Sequence, residues 1–469
     1  MPHNGFRSLT AAPALLIALV IAVLLSAFPL TTPAANAEPA PPRDSFYDRP
    51  AGLADAKPGQ ILRTRKVNIK ALQLVPVNVD AWQLLYRTTG MNGQPDATVT
   101  TVMVPRGQKP RKLLSYQAAT DSTLRVCNPS YSLTHGAPID FSSPAGPLTL
   151  ALPGLELLLA AAGVEQGWAV AIPDHGGLDA RFLTPRQPGY AVLDGVRAVQ
   201  SFSPAGTRRG DPVGMWGYSG GAIATSWAVE EQPAYAPDIA ISGAAMGAPE
   251  RDLEASLKAV NGAATAGLIP TALAAIGKDS PAFQAALRRY VTPGGRAIVD
   301  EARNHCVGQN GVANLWFDYR ANLNEPVDVV LNDPVIRREI QARGISTRRP
   351  TAPVYIYNGV TDEVAAIRGT DKLARAYCSG SADVTYRREQ LPPNPLPQVT
   401  STHGTIAVTG ASGAFAWLKT RLSGAAAHAD RCDWRTVPNT LFEQESLNTF
   451  GPYIATALRT VLNQPLGVR

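Results

Sequence analysis

Two hydrophobic rhythms alternate along this chain. Between Val67 and Val104, apolar and polar positions alternate closely enough to predict a group of antiparallel strands. The clearest are Trp82-Gln83-Leu84-Leu85-Tyr86-Arg87 and residues 97–104. Beyond them the strands become short, uniformly apolar runs: Lys112-Leu113-Leu114-Ser115-Tyr116, residues 167–173, residues 211–218 and Asp238-Ile239-Ala240-Ile241-Ser242. Stretches of helical character separate these runs at 148–164, 189–202 and 221–231. Short strands apolar on both faces, joined by helices, predict a parallel sheet with crossover connections.

The rhythm breaks at residues 249–349. Helical patterns at 253–260, 270–276, 281–291 and 296–303 replace it, with no buried-type strand. Sheet character resumes at Pro353-Val354-Tyr355-Ile356-Tyr357-Asn358 and Asp383-Val384-Thr385-Tyr386-Arg387. A helical insertion between strands of one sheet predicts a cap. The expected layout is therefore a core in two parts, residues 38–248 and 350–469, interrupted by a helical cap at 249–349.

The N-terminus predicts export. Arg7 precedes an apolar run over 11–30, and Ala35-Asn36-Ala37 supplies small residues for signal-peptidase cleavage, so residues 1–37 read as a secretory signal. A run of this length also suits an uncleaved membrane anchor; Pro29, Pro33 and the small-residue site favour removal. The Pro-rich, polar stretch at 38–59 predicts a surface arm.

Composition sharpens this picture. Hydrophobic residues are 45% of the 469 and charged residues 17%, enough for a large core and too apolar for dominant disorder. The net charge is +6, one less without Arg7, and the charges are scattered. No basic stripe with interleaved aromatics suggests nucleic acid as a partner. Four cysteines in an exported chain predict two disulfides among Cys127, Cys306, Cys378 and Cys432, with three possible connectivities. A Cys378–Cys432 bridge would close a loop containing His403, and a Cys127–Cys306 bridge would tie the core to the middle of the chain. There is no C-x-x-C pair to support a thiol-redox or zinc site, so neither metal nor cofactor is expected.

The chemistry centres on Gly217-Tyr218-Ser219-Gly220-Gly221. This pattern alone is weak, but it lies between the strand-like Pro212-Val213-Gly214-Met215-Trp216 and the helix start Ala222-Ile223-Ala224-Thr225-Ser226-Trp227. That is the context of a strained turn presenting a nucleophilic serine. A serine hydroxyl needs a base to take its proton, and the base needs an orienting acid. Asp362 follows the strand at 354–358 and the turn Gly359-Val360-Thr361; its rivals are Glu363 and Asp371, and the plainer role is a helix N-cap. His403, in Ser401-Thr402-His403-Gly404-Thr405, is expected in a loop before a final core helix at 406–422. His428 is the rival base, while His135 and His305 read as surface or structural. The order Ser219, Asp362, His403 is that of α/β hydrolases. Asp174-His175-Gly176-Gly177 looks like an esterase oxyanion loop, yet its position predicts a turn lining the site mouth. The oxyanion donors expected here are the N–H of Gly220 and a group from the loop after residues 112–116. Asp121 lies in that loop; it must offer its N–H or be protonated, or else it merely caps the loop.

Together these segments resemble the secretory lipase family typified by lipase A of Candida antarctica, over nearly all of the mature chain. The resemblance is carried by Ser115-Tyr116-Gln117 with Asp121-Ser122, Cys127-Asn128-Pro129-Ser130, Pro173-Asp174-His175-Gly176-Gly177 and Leu193-Asp194-Gly195-Val196-Arg197-Ala198. It continues through the Ser219 pentapeptide, residues 359–362 and Thr402-His403-Gly404. It implies an α/β-hydrolase core with a helical cap and lid over an acyl tunnel, and a place for Asp121 in the oxyanion hole. It also implies a Cys127–Cys306 bridge; Cys378 lies farther upstream of His403 than the family pattern leads one to expect. The implied activity is hydrolysis of carboxylic esters, with lipid esters such as triacylglycerols as substrates at a lipid–water interface. Two other readings compete: acyl transfer or hydrolysis on cell-envelope lipids, and a surface binding protein that has kept a hydrolase fold.

Overall fold

The computed structural model describes residues 44–136, 151–396, 399–424 and 431–467. The leader at 1–37 and His428 fall outside the described residues. Among the described residues twelve strands occur in chain order: β1 Ile61–Val67, β2 Lys70–Ala71, β3 Val75–Pro76, β4 Asp80–Thr89, β5 Pro95–Val104 and β6 Leu113–Gln117. They continue as β7 Ala169–Pro173, β8 Val213–Tyr218, β9 Ile241–Gly247, β10 Val354–Gly359, β11 Val384–Glu389 and β12 Cys432–Val437. Ten of them form one sheet in the order β1-β4-β5-β7-β6-β8-β9-β10-β11-β12, with β2 and β3 as a separate hairpin. The first three strands and β7 pair antiparallel, and every pairing from β7 to β12 is parallel. This is the mostly parallel sheet of an α/β hydrolase, with β8 between β6 and β9 near its centre.

Alternation along the strands divides the core into two layers. Tyr116, Trp216 and Tyr218 point to one face, where helices Leu152–Glu165, Ala411–Leu422 and Gln444–Val461 pack. Leu113, Val213 and Met215 point to the other, against helices Gln187–Ser201 and Gly220–Tyr235. Trp216 lies 5.3 Å from Tyr116, edge to face, so the strands that carry the site share one aromatic layer.

Between β9 and β10 there is no strand among the described residues, only helices from Leu253–Val260 to Pro334–Ala342. Their apolar faces close over Leu183, Ile223 and Trp227 of the core through Ile276, Phe283 and Leu287. The stretch at 307–342 adds helices that the hydrophobic pattern does not announce, because they are short and polar on their outer faces.

Four expectations are corrected. Phe46 and Tyr47 of the expected surface arm are buried, with the Arg65 guanidinium 4.2 Å from the Phe46 ring centroid. The strand expected at 238–242 runs instead over Ile241–Gly247. The helix expected over 406–422 is two helices, Thr402–Thr409 and Ala411–Leu422, broken at Gly410, where any Cβ would press on the Tyr357 ring. It is not the last helix either, since Gln444–Val461 follows. The cysteines form both bridges, Cys127–Cys306 and Cys378–Cys432, with Cα–Cα separations of 5.6 and 5.5 Å.

Candidate active site

Ser219 occupies the tip of β8 with φ 52° and ψ −121°, a strained backbone for a residue with a Cβ. Its neighbours allow this. A Cβ on Gly217 would strike the Gly221 backbone, and one on Gly221 would strike the Gln117 carbonyl. The turn is pinned by the Ser219 N–H donating to the Gly247 carbonyl at 2.9 Å, and helix Gly220–Tyr235 starts at once. The hydroxyl is thus carried above the carboxyl ends of the strands, at the N-terminus of a helix.

Asp362 and His403 meet although 41 residues separate them. Asp362 Oδ2 accepts from His403 Nδ1 at 2.9 Å, and Oδ1 accepts the N–H groups of Val364 and Ala365 at 2.8 and 2.7 Å. The cap-like role and the role as imidazole partner therefore coexist in one carboxylate. Because the carboxylate accepts, Nδ1 carries the proton and Nε2 is left with its lone pair. Burial pushes the His403 pKa down, but the charge and hydrogen bond of Asp362 outweigh it and hold it above the ordinary value.

His403 is the second residue of helix Thr402–Thr409, not part of a loop. Ser401 caps that helix by accepting the Gly404 N–H. Tyr218 donates its hydroxyl to the His403 carbonyl at 2.6 Å, and its ring lies 4.9 Å from the imidazole. Glu363, the rival acid, accepts the His403 backbone N–H at 3.3 Å and the Ser401 hydroxyl. It holds the main chain of the histidine while Asp362 holds the ring. Asp371 is turned away, accepting from Tyr386 and facing Arg388.

The loop after β6 lies against the serine turn. Asp121 has φ 42°, is buried, and rests directly over Gly220, where a Cβ would collide with its Oδ1. That oxygen has no hydrogen-bond partner among the described residues. Burial drives the Asp121 carboxyl up to about 7, against the opposing pull of the His403 charge. Beside the free N–H at the helix start, a neutral carboxyl can donate to an anionic oxygen.

Two buried groups unforeseen in these roles hold this loop. Glu156 accepts the Ala119 N–H at 3.1 Å and the Tyr116 hydroxyl at 2.8 Å, and burial raises its pKa to about 8. His175 Nε2 donates to the Ala118 carbonyl at 2.8 Å, and burial lowers its pKa. His175 therefore braces the loop from behind instead of lining the mouth. Ser122 donates to the His305 carbonyl at 3.0 Å, beside the Cys127–Cys306 bridge.

A cavity of about 140 Å³ opens above Ser219, Asp121 and Gly220. Residues of the helices between β9 and β10, such as Leu253, Leu257, Leu273 and Phe283, make its walls almost wholly apolar.

The chain has relatives among known proteins. The family model described as secretory lipase matches residues 143–430. The chain belongs to the secretory lipase family. With that family it falls among the carboxylic ester hydrolases of the α/β-hydrolase fold. Lipase A of Arthroderma benhamiae is 33% identical, covering 93% of this chain and 91% of its own length. A probable inactive lipase of Mycobacterium tuberculosis is 36% identical over 86% of this chain and 87% of its own. The structure of Candida antarctica lipase A in its closed state superposes with a TM-score of 0.74 at 24% identity, over 92% of this chain and 99% of that one. Of the braces, His175 lies within a motif and Glu363 next to one, whereas Glu156 sits in a helix away from them, and only its burial marks its role.

Proposed function

We propose that the protein is an exported serine lipase or esterase that hydrolyses carboxylic esters of lipids, triacylglycerol-type substrates among them, by way of an acyl-enzyme. The observation that carries this reading is the Asp362–His403 pair, its imidazole ring 4.9 Å from that of Tyr218, the residue preceding a strained Ser219 that opens into an apolar cavity. Nε2 of His403 takes the Ser219 hydroxyl proton as Oγ bonds to the ester carbonyl carbon. The oxygen that becomes anionic is met by the Gly220 N–H and the neutral carboxyl of Asp121. When the intermediate collapses, the bond to the alcohol breaks and Nε2 returns the proton to it. Water then repeats the sequence on the acyl-enzyme, leaving a carboxylic acid and free Ser219. Asp362 keeps the imidazole in the required tautomer and stabilises the imidazolium.

In this reading residues 1–37 are an export signal, 249–349 a cap over the acyl group, and the remainder the hydrolase core. No metal or cofactor takes part in the steps. The relative named a probable inactive lipase makes a non-catalytic binding protein a reading worth testing. Ser219, Asp362, His403 and Asp121 are all present here, which supports activity. The test is a substrate screen across p-nitrophenyl esters of increasing acyl length and emulsified triglyceride. Turnover of medium or long esters that exceeds turnover of acetate is expected. An inert protein that binds these esters without hydrolysing them would overturn the proposal.

A further inference from the structure

Apart from the groups already assigned at Ser219, Gly220 and Asp121, the polar side chains lining the cavity are Glu250, Ser256 and Tyr319, of which Glu250 and Ser256 form a pair. Glu250 follows β9 and Ser256 lies in helix Leu253–Val260, so the pair stands where the core chain enters the cap. The two side chains are hydrogen-bonded to each other. Glu250 Oε1 accepts the Asp252 N–H at 2.8 Å, and Ser256 Oγ accepts the Ala366 N–H at 3.3 Å. Ala366 belongs to the turn that Asp362 organises. The pair is therefore anchored to the acid turn and lies toward the reacting end of the cavity.

A carboxyl in an apolar wall costs free energy unless polar partners satisfy it. Glu250 is half-buried at the cavity wall; desolvation raises its pKa well above the ordinary range, and the nearby negative charges of Asp252 and Asp362 push the same way. Ser256 Oγ donates to Glu250 Oε2 while accepting from the Ala366 N–H. A neutral Glu250 then keeps its own proton for an acceptor in the cavity, and its oxygens retain lone pairs for a donor. A hydroxyl group is both.

We propose that Glu250 and Ser256 form a specificity site for ester substrates bearing a hydroxyl group a few carbons from the ester carbonyl. This deepens the ester-hydrolase reading and rests on the cavity being its substrate site. A hydroxyl seated here gains two hydrogen bonds, whereas one set among the leucine, isoleucine and valine side chains of the cavity gains none.

The test compares methyl 3-hydroxyoctanoate with its isomer methyl 8-hydroxyoctanoate, and with methyl octanoate, by calorimetric binding to full-length Ser219→Ala protein. The isomers share composition, so their affinity ratio isolates hydroxyl position. The 3-hydroxy ester is expected to bind about tenfold more tightly than the 8-hydroxy ester. Adding Glu250→Leu is expected to bring the ratio close to one, and Glu250→Gln, which keeps a donor and an acceptor, to retain most of it. An equal ratio in Ser219→Ala and Ser219→Ala/Glu250→Leu overturns the proposal, as does the absence of binding by all three esters. Failure of the ester-hydrolase reading is seen separately, as no turnover of p-nitrophenyl octanoate by the Ser219 protein.

Discussion

Replacing Asp121 tests whether a carboxyl can serve an anionic intermediate. Its Oδ1 is buried, lacks a partner among the described residues and rests over Gly220. Loss of one oxyanion donor typically lowers kcat by about 10²–10³, or roughly 3–4 kcal/mol, and Asp121→Ala is expected to fall in that range. Asp121→Asn keeps an N–H donor and is expected to retain much more activity. The pH dependence separates the carboxyl from the backbone N–H as donor. With a pKa raised to about 7, Asp121 is neutral below that pH and anionic above it. An anion there opposes the developing oxyanion, so kcat/KM should decline as pH rises through about 7. His403 must be neutral to act as base, and its raised pKa places the acid limb above 6.5. The wild type should therefore show a narrow bell, and Asp121→Asn should lose its alkaline limb. The assay is initial rates on a soluble p-nitrophenyl ester from pH 5 to 9, with background hydrolysis subtracted. An alkaline limb unchanged in Asp121→Asn, or full activity in Asp121→Ala, would refute the reasoning.

Gly220→Ala adds a methyl group that would collide with the Asp121 carboxyl, so activity on the same ester should fall at least tenfold with Tm nearly unchanged; retention of wild-type rates would count against the proposed donor pair. Glu156 is protonated in the fold up to a pKa of about 8, against an ordinary value of 4.5, so the folded state binds the extra proton between those limits. Its contribution to stability is therefore largest at or below about pH 4.5 and is lost as pH rises toward 8, by roughly 2–5 kcal/mol. Glu156→Gln should flatten that loss in denaturant titrations at pH 5 and 8, and an identical pH dependence in both proteins would show that the group ionises freely.

Much of this arrangement was legible in the sequence. Apolar runs marked β4 to β8 and β10 because those strands are buried and rich in branched or aromatic side chains. β9 was misplaced because Ser242-Gly243-Ala244-Ala245-Met246-Gly247 lacks such residues. Its small side chains make room for Trp417 over Gly243 and for Tyr218 and Tyr357 over Gly247, a reason visible only after folding. β12 went unseen because an edge strand reading Cys-Asp-Trp-Arg-Thr-Val is polar and largely exposed, with Arg387 paired to Asp433. At the site, turn chemistry and chain order point to Ser219, Asp362 and His403, and the family resemblance adds Asp121. Glu156 was not, because a glutamate in an apolar helix looks like any other until Tyr116 and Ala119 are brought to it. Glu250 was hidden in the same way, by a cavity that exists only when the helices between β9 and β10 meet the sheet's loops.

The central claim is that Ser219 is the nucleophile. The most direct test treats the purified protein with a fluorophosphonate ester and locates the adduct by peptide mass spectrometry. The account predicts a single stoichiometric adduct on Ser219, lost in Ser219→Ala while the circular dichroism spectrum is kept. An adduct on another serine, or undiminished labelling of folded Ser219→Ala, would contradict it.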